Sequence, residues 1–357
     1  METPNDDSDT PRESDAPAMK TPPQWWSIAA AEVEPYLLGG ENKYTRDEVA
    51  AAVGLPLDDI RKLWVSLGFP TSPDPTSKMF TDADIRALQL VTQLVDDGII
   101  DRQSQVSVAR TIGQAMARLA EWQVETISSV IIDNIVTSKR PVSSAEDVRS
   151  ITESVSQRTV PALEELQNYV WRRHLAAAAS RTFAGKEPDP ARRTLVVGFA
   201  DMVGYTSLTR HLDGAALTDL LEAFESNSTE IIARHKGWVI KNVGDEVMFA
   251  VEDPVAAAHI ALELQESTAA AERTPALRVG LATGPVLQRF GDLYGSVVNI
   301  AARLTGLAAP GTVLIDSRLS TTLEDNEEFR VKHLRAVHVR GFDKIRPHVL
   351  RRPKVKR

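Results

Sequence analysis

The sequence predicts an α+β chain in two parts, an all-helical N-terminal half and a C-terminal half in which strands alternate with helices. Three observations carry this expectation. Apolar residues over 104–140 and 144–184 recur with helical periodicity and show no strand-like alternation. From Thr194 onward, short β-rich runs separate longer helical ones, the pattern of a sheet with helices packed on it. Between the halves, Gly185-Lys-Glu-Pro-Asp-Pro190 reads as a boundary. The expected organisation is an acidic tail (1–24), a helical domain (25–184), a linker (185–191), a mixed domain (192–352) and a basic tail (353–357).

Residues 1–24 hold six acids, two bases and five prolines. They can bury almost nothing and are expected to be disordered. Trp25-Trp26 begin a packable segment. Thr45-Arg-Asp-Glu48 has capping-box spacing. Pro56 suits a first helical turn and Gly68 the residue just past a helix end. Thr81 with Asp84 opens a further amphipathic run that stops near Gly98. With Tyr44-Thr, Glu48-Val, Gly54, Gly68-Phe and Phe80-Thr-Asp-Ala-Asp84, this order resembles the helix-turn-helix start of MerR-type regulators. Residues 41–100 carry six bases against ten acids, which favours a helical scaffold over a DNA-reading module. Pro161 is placed at the start of the last helix, which ends in Tyr169-Val-Trp-Arg-Arg-His-Leu175 and the Ala176–Ala179 run.

In the second half, Thr194–Ala200 reads as a strand and Leu208–Lys236 as one long helix. Trp238–Ile240 and Val247–Val251 are strands about a Val-Gly turn. Val255–Ala271 is a helix. Leu277–Ala282 and Val286–Arg289 are expected to flank a hairpin turn at Thr283-Gly-Pro285. Val297–Leu307 is a helix and Thr312–Ile315 a strand.

Composition narrows the function classes. Hydrophobic residues are 43% and charged residues 25%, as in globular protein, and the net charge of −8 speaks against general affinity for nucleic acid. With no cysteine, disulfides, thiolate metal sites and cysteine nucleophiles are excluded. No apolar run approaches the ~20 residues of a membrane span, and the acidic, Pro-rich start is unlike a signal peptide. The expected location is cytoplasmic. Five basic side chains among the last seven residues read as a solvated tail, with membrane contact as the alternative.

Four fragments carry chemistry: Phe199-Ala-Asp-Met-Val-Gly-Tyr-Thr206, Lys241-Asn-Val-Gly-Asp-Glu246, Gly291-Asp-Leu-Tyr-Gly295 and Asn299-Ile-Ala-Ala-Arg303. Asp201 and Asp245 stand at strand ends, where carboxylates can ligate Mg²⁺ or Mn²⁺. Taken singly, they read equally as a helix cap and a turn residue. Val203-Gly-Tyr-Thr206 is a strand-to-helix turn whose amides could face phosphate, though no Walker Gly-Lys-Ser/Thr follows. Asn299 and Arg303, four apart, share one helix face. Lys241 and Asp292 offer the donor and acceptor that an adenine edge requires, although Lys241 could instead pair locally with Asp245 or Glu246.

In this order the fragments resemble the catalytic domain of class III nucleotidyl cyclases over about 192–352. The resemblance implies a ferredoxin-like βαββαβ fold with additions. It implies two Mg²⁺ or Mn²⁺ ions on Asp201 and Asp245, and triphosphate contact by Val203, Gly204, Tyr205, Thr206 and Arg340. Asn299 would orient the ribose, and Arg303 would stabilise the transition state. Guanylyl cyclases typically place Glu and Cys where Lys241 and Asp292 stand, so the substrate implied is ATP, with cyclic AMP and pyrophosphate as products. It also implies a homodimer with shared sites. The all-helical first half is similar to that of soluble actinobacterial cyclases with a pH-responsive regulatory region, which singles out His174, with His333 and His338 behind it. The rivals are a guanylyl cyclase, a nucleotide-binding pseudo-cyclase and a DNA-binding regulator.

Overall fold

The computed structural model describes residues 25–137, 144–184, 192–270, 275–339 and 342–353. The acidic tail, the linker 185–191, Arg340 and most of the basic tail lie outside these. The chain divides into two compact units, Met1–Ala177 and Ala178–Arg357.

The first unit contains α1 (Trp25–Leu38), α2 (Arg46–Val53), α3 (Leu57–Ser66), α4 (Asp82–Asp96), α5 (Gln105–Val136) and most of α6 (Ala145–Ala184). Both expected capping boxes form: Thr45 with Glu48 opens α2, and Thr81 with Asp84 opens α4. Val49, Ile60, Leu63, Trp64, Phe80 and Leu88 make a core beneath them. The Trp64 indole N–H is satisfied by the Pro70 carbonyl at 2.7 Å. Lys43, Arg61 and Lys62 face Asp82, Asp58 and Asp59, so these bases of the helix-turn-helix-like segment have acidic neighbours. Pro161 does not start a helix; it lies inside α6. The start is upstream, where the Ser144 hydroxyl accepts from the Asp147 amide at 3.1 Å and the Asp147 carboxylate accepts from the Ser144 amide at 3.0 Å. The helix tolerates the single backbone bond that proline removes. Among the described residues no helix is long and apolar enough to cross a membrane.

The second unit is the α+β part. Its elements are β1 (Arg192–Met202), α7 (Tyr205–Leu208), α8 (Gly214–Arg234), β2 (Trp238–Val243), β3 (Glu246–Val251), α9 (Pro254–Ala270), β4 (Leu277–Arg289), β5 (Asp292–Tyr294), α10 (Ser296–Leu307), β6 (Thr312–Ile315), α11 (Ser317–Leu323), β7 (Arg330–His333), β8 (Val337–Val339), β9 (Phe342–Ile345) and β10 (His348–Arg351). The main sheet runs β2-β3-β1-β4-β6-β10-β7, with β5 on β4. Its first four strands have the ferredoxin-like order, and the rest are the additions.

One face of the sheet packs on α8, α9 and α11 through Val196, Ala200, Val247, Phe249, Val279 and Leu281. The other packs on α10 through Leu195, Val197, Phe199, Met248, Ala250 and Ala301. Gly280 lets α10 lie directly on the sheet, because a Cβ there would stand 2.3 Å from the Thr305 amide nitrogen.

Two expectations fail locally. The helix expected from Leu208 is broken: α7 has four residues, and α8 begins at Gly214, where the Asp213 carboxylate accepts from the Ala216 amide at 2.8 Å. Thr283-Gly-Pro285 is not a turn either. β4 is one continuous strand, and these residues pair with Val196, Leu195 and Thr194 of β1. Pro285 lies between the segments of β4 that β6 and β5 pair, where a missing donor is tolerated. The real turn is Phe290-Gly291, with φ of 52° and 83°, the two-residue hairpin geometry that needs positive φ at both positions.

Candidate active site

The α10 face of the sheet gathers the chemistry. Side chains alternate along β1, so Asp201 shares the face of Leu195, Val197 and Phe199. Its cross-strand partners are Glu246 on β3 and Arg278 on β4, and directly opposed residues share a face. Asp245 occupies the turn between β2 and β3, tied to β1 by the Met202 amide donating to the Asp245 carbonyl at 3.1 Å.

Burial pushes the Asp201 carboxyl above its ordinary value, the charge of Asp245 adds to this, and Arg278 opposes it. Glu246 is raised by burial and then by Asp201 and Asp245, with Lys241 opposing. Acids crowded at a half-buried strand end repel, and a divalent cation relieves that repulsion. The donors are hard oxygens, which suits Mg²⁺ or Mn²⁺. Among the described residues no group of three or more His, Asp or Glu forms a ready metal cage. An ion here would need further ligands from substrate and water.

Lys241 does not pair with Asp245 or Glu246. Its Nζ lies 2.8 Å from Asp292 Oδ2, across 51 residues of sequence. Two irregularities make this possible. Trp238 and Ile240 face the α10 side while Val239 faces the other core, so strict alternation would send Lys241 away from Asp201. A register shift between Val239 and Lys241 sets Lys241 opposite Met248 instead, back on the α10 side. The Phe290-Gly291 turn then places Asp292 as the first residue of β5, where its Oδ1 accepts from the Leu293 amide at 2.9 Å.

Val203-Gly-Tyr-Thr206 follows β1, with the Val203 amide on the Ala276 carbonyl at 2.9 Å and Gly204 at φ 76° leading into α7. Tyr205 packs on the α8/α9 core, and Thr206 is exposed. Asn299 and Arg303 lie one turn apart on the exposed side of α10, opposite Val297, Ala301 and Leu304. Neither forms a side-chain hydrogen bond or ion pair among the described residues. His174 is exposed on α6 in the other unit. Glu246 and Arg278 were missed as site residues. Glu246 closes a quoted fragment, but only the strand register reveals its position opposite Asp201. Arg278 belongs to no motif at all.

Residues 190–352 match the family described as adenylate and guanylate cyclase catalytic domain, and residues 31–176 match the adenylate cyclase regulatory domain. An adenylate cyclase of Glutamicibacter nicotianae is 36% identical over 370 residues, covering 96% of this chain and 90% of that protein. An adenylate cyclase of Streptomyces coelicolor is 38% identical over 82% of this chain and 75% of the relative. A pH-sensitive adenylate cyclase of Mycobacterium tuberculosis is 29% identical over 82% of this chain and 73% of its own length. A catalytic match on the α+β unit, a regulatory match on the helical one and full-length likeness to such enzymes together show that the chain belongs to the adenylate cyclases that carry an adenylate cyclase regulatory domain.

Proposed function

We propose that this adenylate cyclase forms 3′,5′-cyclic AMP at sites shared between two copies of the chain. The observation that carries the reading is the division of the kit. Asp201, Asp245 and the Lys241–Asp292 pair cluster on one sheet face, while Asn299 and Arg303 point to solvent without partners of their own. Long helices with exposed Trp122, Tyr169 and Trp171 also suit a second copy, since large exposed apolar groups commonly mark interfaces.

In this reading Asp201 and Asp245 hold two Mg²⁺ or Mn²⁺ ions. When bound, the ions lower the pKa of the ribose 3′-hydroxyl and balance polyphosphate charge. Lys241 Nζ donates to adenine N1, and Asp292 accepts from the exocyclic amine. Asn299 of the second copy orients the ribose, and Arg303 donates to the α-phosphate oxygens as charge builds on them. The turn at Val203, Gly204, Tyr205 and Thr206 faces the triphosphate, with Arg340 as a further basic contact. The 3′-oxygen bonds to the α-phosphorus, the bond to pyrophosphate breaks, and the hydroxyl proton leaves to water or substrate, no side-chain base being required.

Residues 25–184 form the regulatory domain and 192–352 the catalytic one, a division that the two compact units and the two family matches support. His174 on α6 is the proton-responsive residue of this scheme. ATP as substrate suits cytoplasmic residence. Turnover assays with ATP and GTP, with Mg²⁺ or Mn²⁺, test the reading: efficient ATP cyclisation with weak GTP use supports it, and equal use of both refutes the base assignment.

A further inference from the structure

The guanidinium of Arg181 lies 4.8 Å from the ring centroid of Trp238. Arg181 is the basic residue of the last turn of α6, and Trp238 is the first residue of β2, half-buried against the α10-side core. Among the described residues Arg181 makes no ion pair, and nearby Glu252 is engaged by Arg193. The indole face is therefore the site that holds this cation.

Three residues further along the same strand stands Lys241. Its aim at Asp292 depends on the irregularity between Val239 and Lys241. An irregular strand has a softer register than a regular one, so its geometry follows whatever fixes its ends. One end of β2 turns at Gly244-Asp245; the other is Trp238.

From this we infer that Arg181 is a positioning residue for purine recognition, acting through Trp238 and the bulge of β2 on Lys241. The inference rests on the assignment of Lys241 and Asp292 to the purine. It gives the last turn of α6 a route to the base pocket: moving Arg181 off the indole frees the start of β2 and lets Lys241 leave Asp292. Substrate preference then reports the state of α6.

The test uses the full chain with Arg181→Ala, Arg181→Lys and Lys241→Ala. It reads ATP KM and kcat, the ATP-to-GTP ratio, and amide hydrogen exchange over 238–243. Arg181→Ala should raise ATP KM about three- to tenfold, the range of a lost cation–π contact, with a smaller change in kcat. It should also lower the ATP-to-GTP ratio and speed exchange in β2. Arg181→Lys should restore most of this, because an ammonium also sits on an indole. An unchanged KM in Arg181→Ala, alongside a raised KM in Lys241→Ala, overturns the inference. So does an Arg181→Lys variant as impaired as the alanine. If Lys241→Ala itself leaves KM unchanged, the purine assignment has failed, and unaltered exchange in β2 then independently overturns the Arg181 contact.

Discussion

Lys241 and Asp292, on strands that never pair with each other, meet at 2.8 Å on the α10 face of the sheet. Both are partly exposed, so the pair contributes only about 0–1 kcal/mol and a base edge can displace it at little cost. Lys241→Glu with Asp292→Cys is expected to lower ATP turnover sharply. Single Lys241→Ala should raise ATP KM by about 10- to 100-fold, as expected when a pocket loses a hydrogen bond to its substrate. Steady-state kinetics with both nucleotides checks this; unchanged ATP kinetics in the double variant would remove these residues from base recognition.

The raised carboxyl of Asp201 predicts a trade of stability for activity. Its folded value lies above its ordinary 3.8, so the folded state penalises the ionised form. The contribution to stability is present below 3.8 and is lost as pH rises through the raised value. Asp201→Asn should therefore be inactive yet melt higher than the parent at pH 8, by less than about 1 kcal/mol after solvent screening. The difference should vanish near pH 3.5. Thermal melts across that range decide it, and a variant less stable at pH 8 contradicts the account.

A second titration sits in the catalytic unit. Burial, then the charges of His333 and Arg346, hold the His348 imidazole below its ordinary 6.5. Its Nδ1 lies 2.7 Å from His333 Nδ1, and its Nε2 3.1 Å from the Ser317 hydroxyl. The unfolded state takes up this proton first, so stability present above 6.5 is lost as pH falls through the folded value. Melting temperature should drop between pH 7 and pH 5, and His348→Gln should flatten that slope while lowering stability at pH 7.5. Parallel slopes for both proteins would acquit His348.

Regulation is expected to enter through α6, whose residues cross the division at Ala177. Residues 190–357 alone should cyclise ATP with a flatter pH profile than the full chain, and His174→Ala should shift the full-length profile. Superimposable profiles for the full and shortened proteins would clear the helical domain of pH sensing.

Much of the fold was legible because it rests on local signals. Thr45, Glu48, Thr81 and Asp84 announce helix starts through capping chemistry, and the β-rich runs mark the strands. What was not legible depends on register. Thr283-Gly-Pro285 has turn composition but lies within β4, where pairing with β1 overrides it. Glu246 and Arg278 reach Asp201 only through the sheet. Lys241 reaches Asp292 only because a bulge reverses its face, an event that strand alternation in the sequence denies.

The shared site is the central claim, and mixing two inactive chains tests it most directly. Asp201→Ala and Arg303→Ala chains, each without turnover alone, form a heterodimer in which one site lacks both lesions. ATP turnover should reappear on mixing, at about a quarter of the parent rate: statistical pairing makes half the dimers mixed, and each of these has one intact site of two. No recovery, with heterodimers present by native mass spectrometry, would contradict the account.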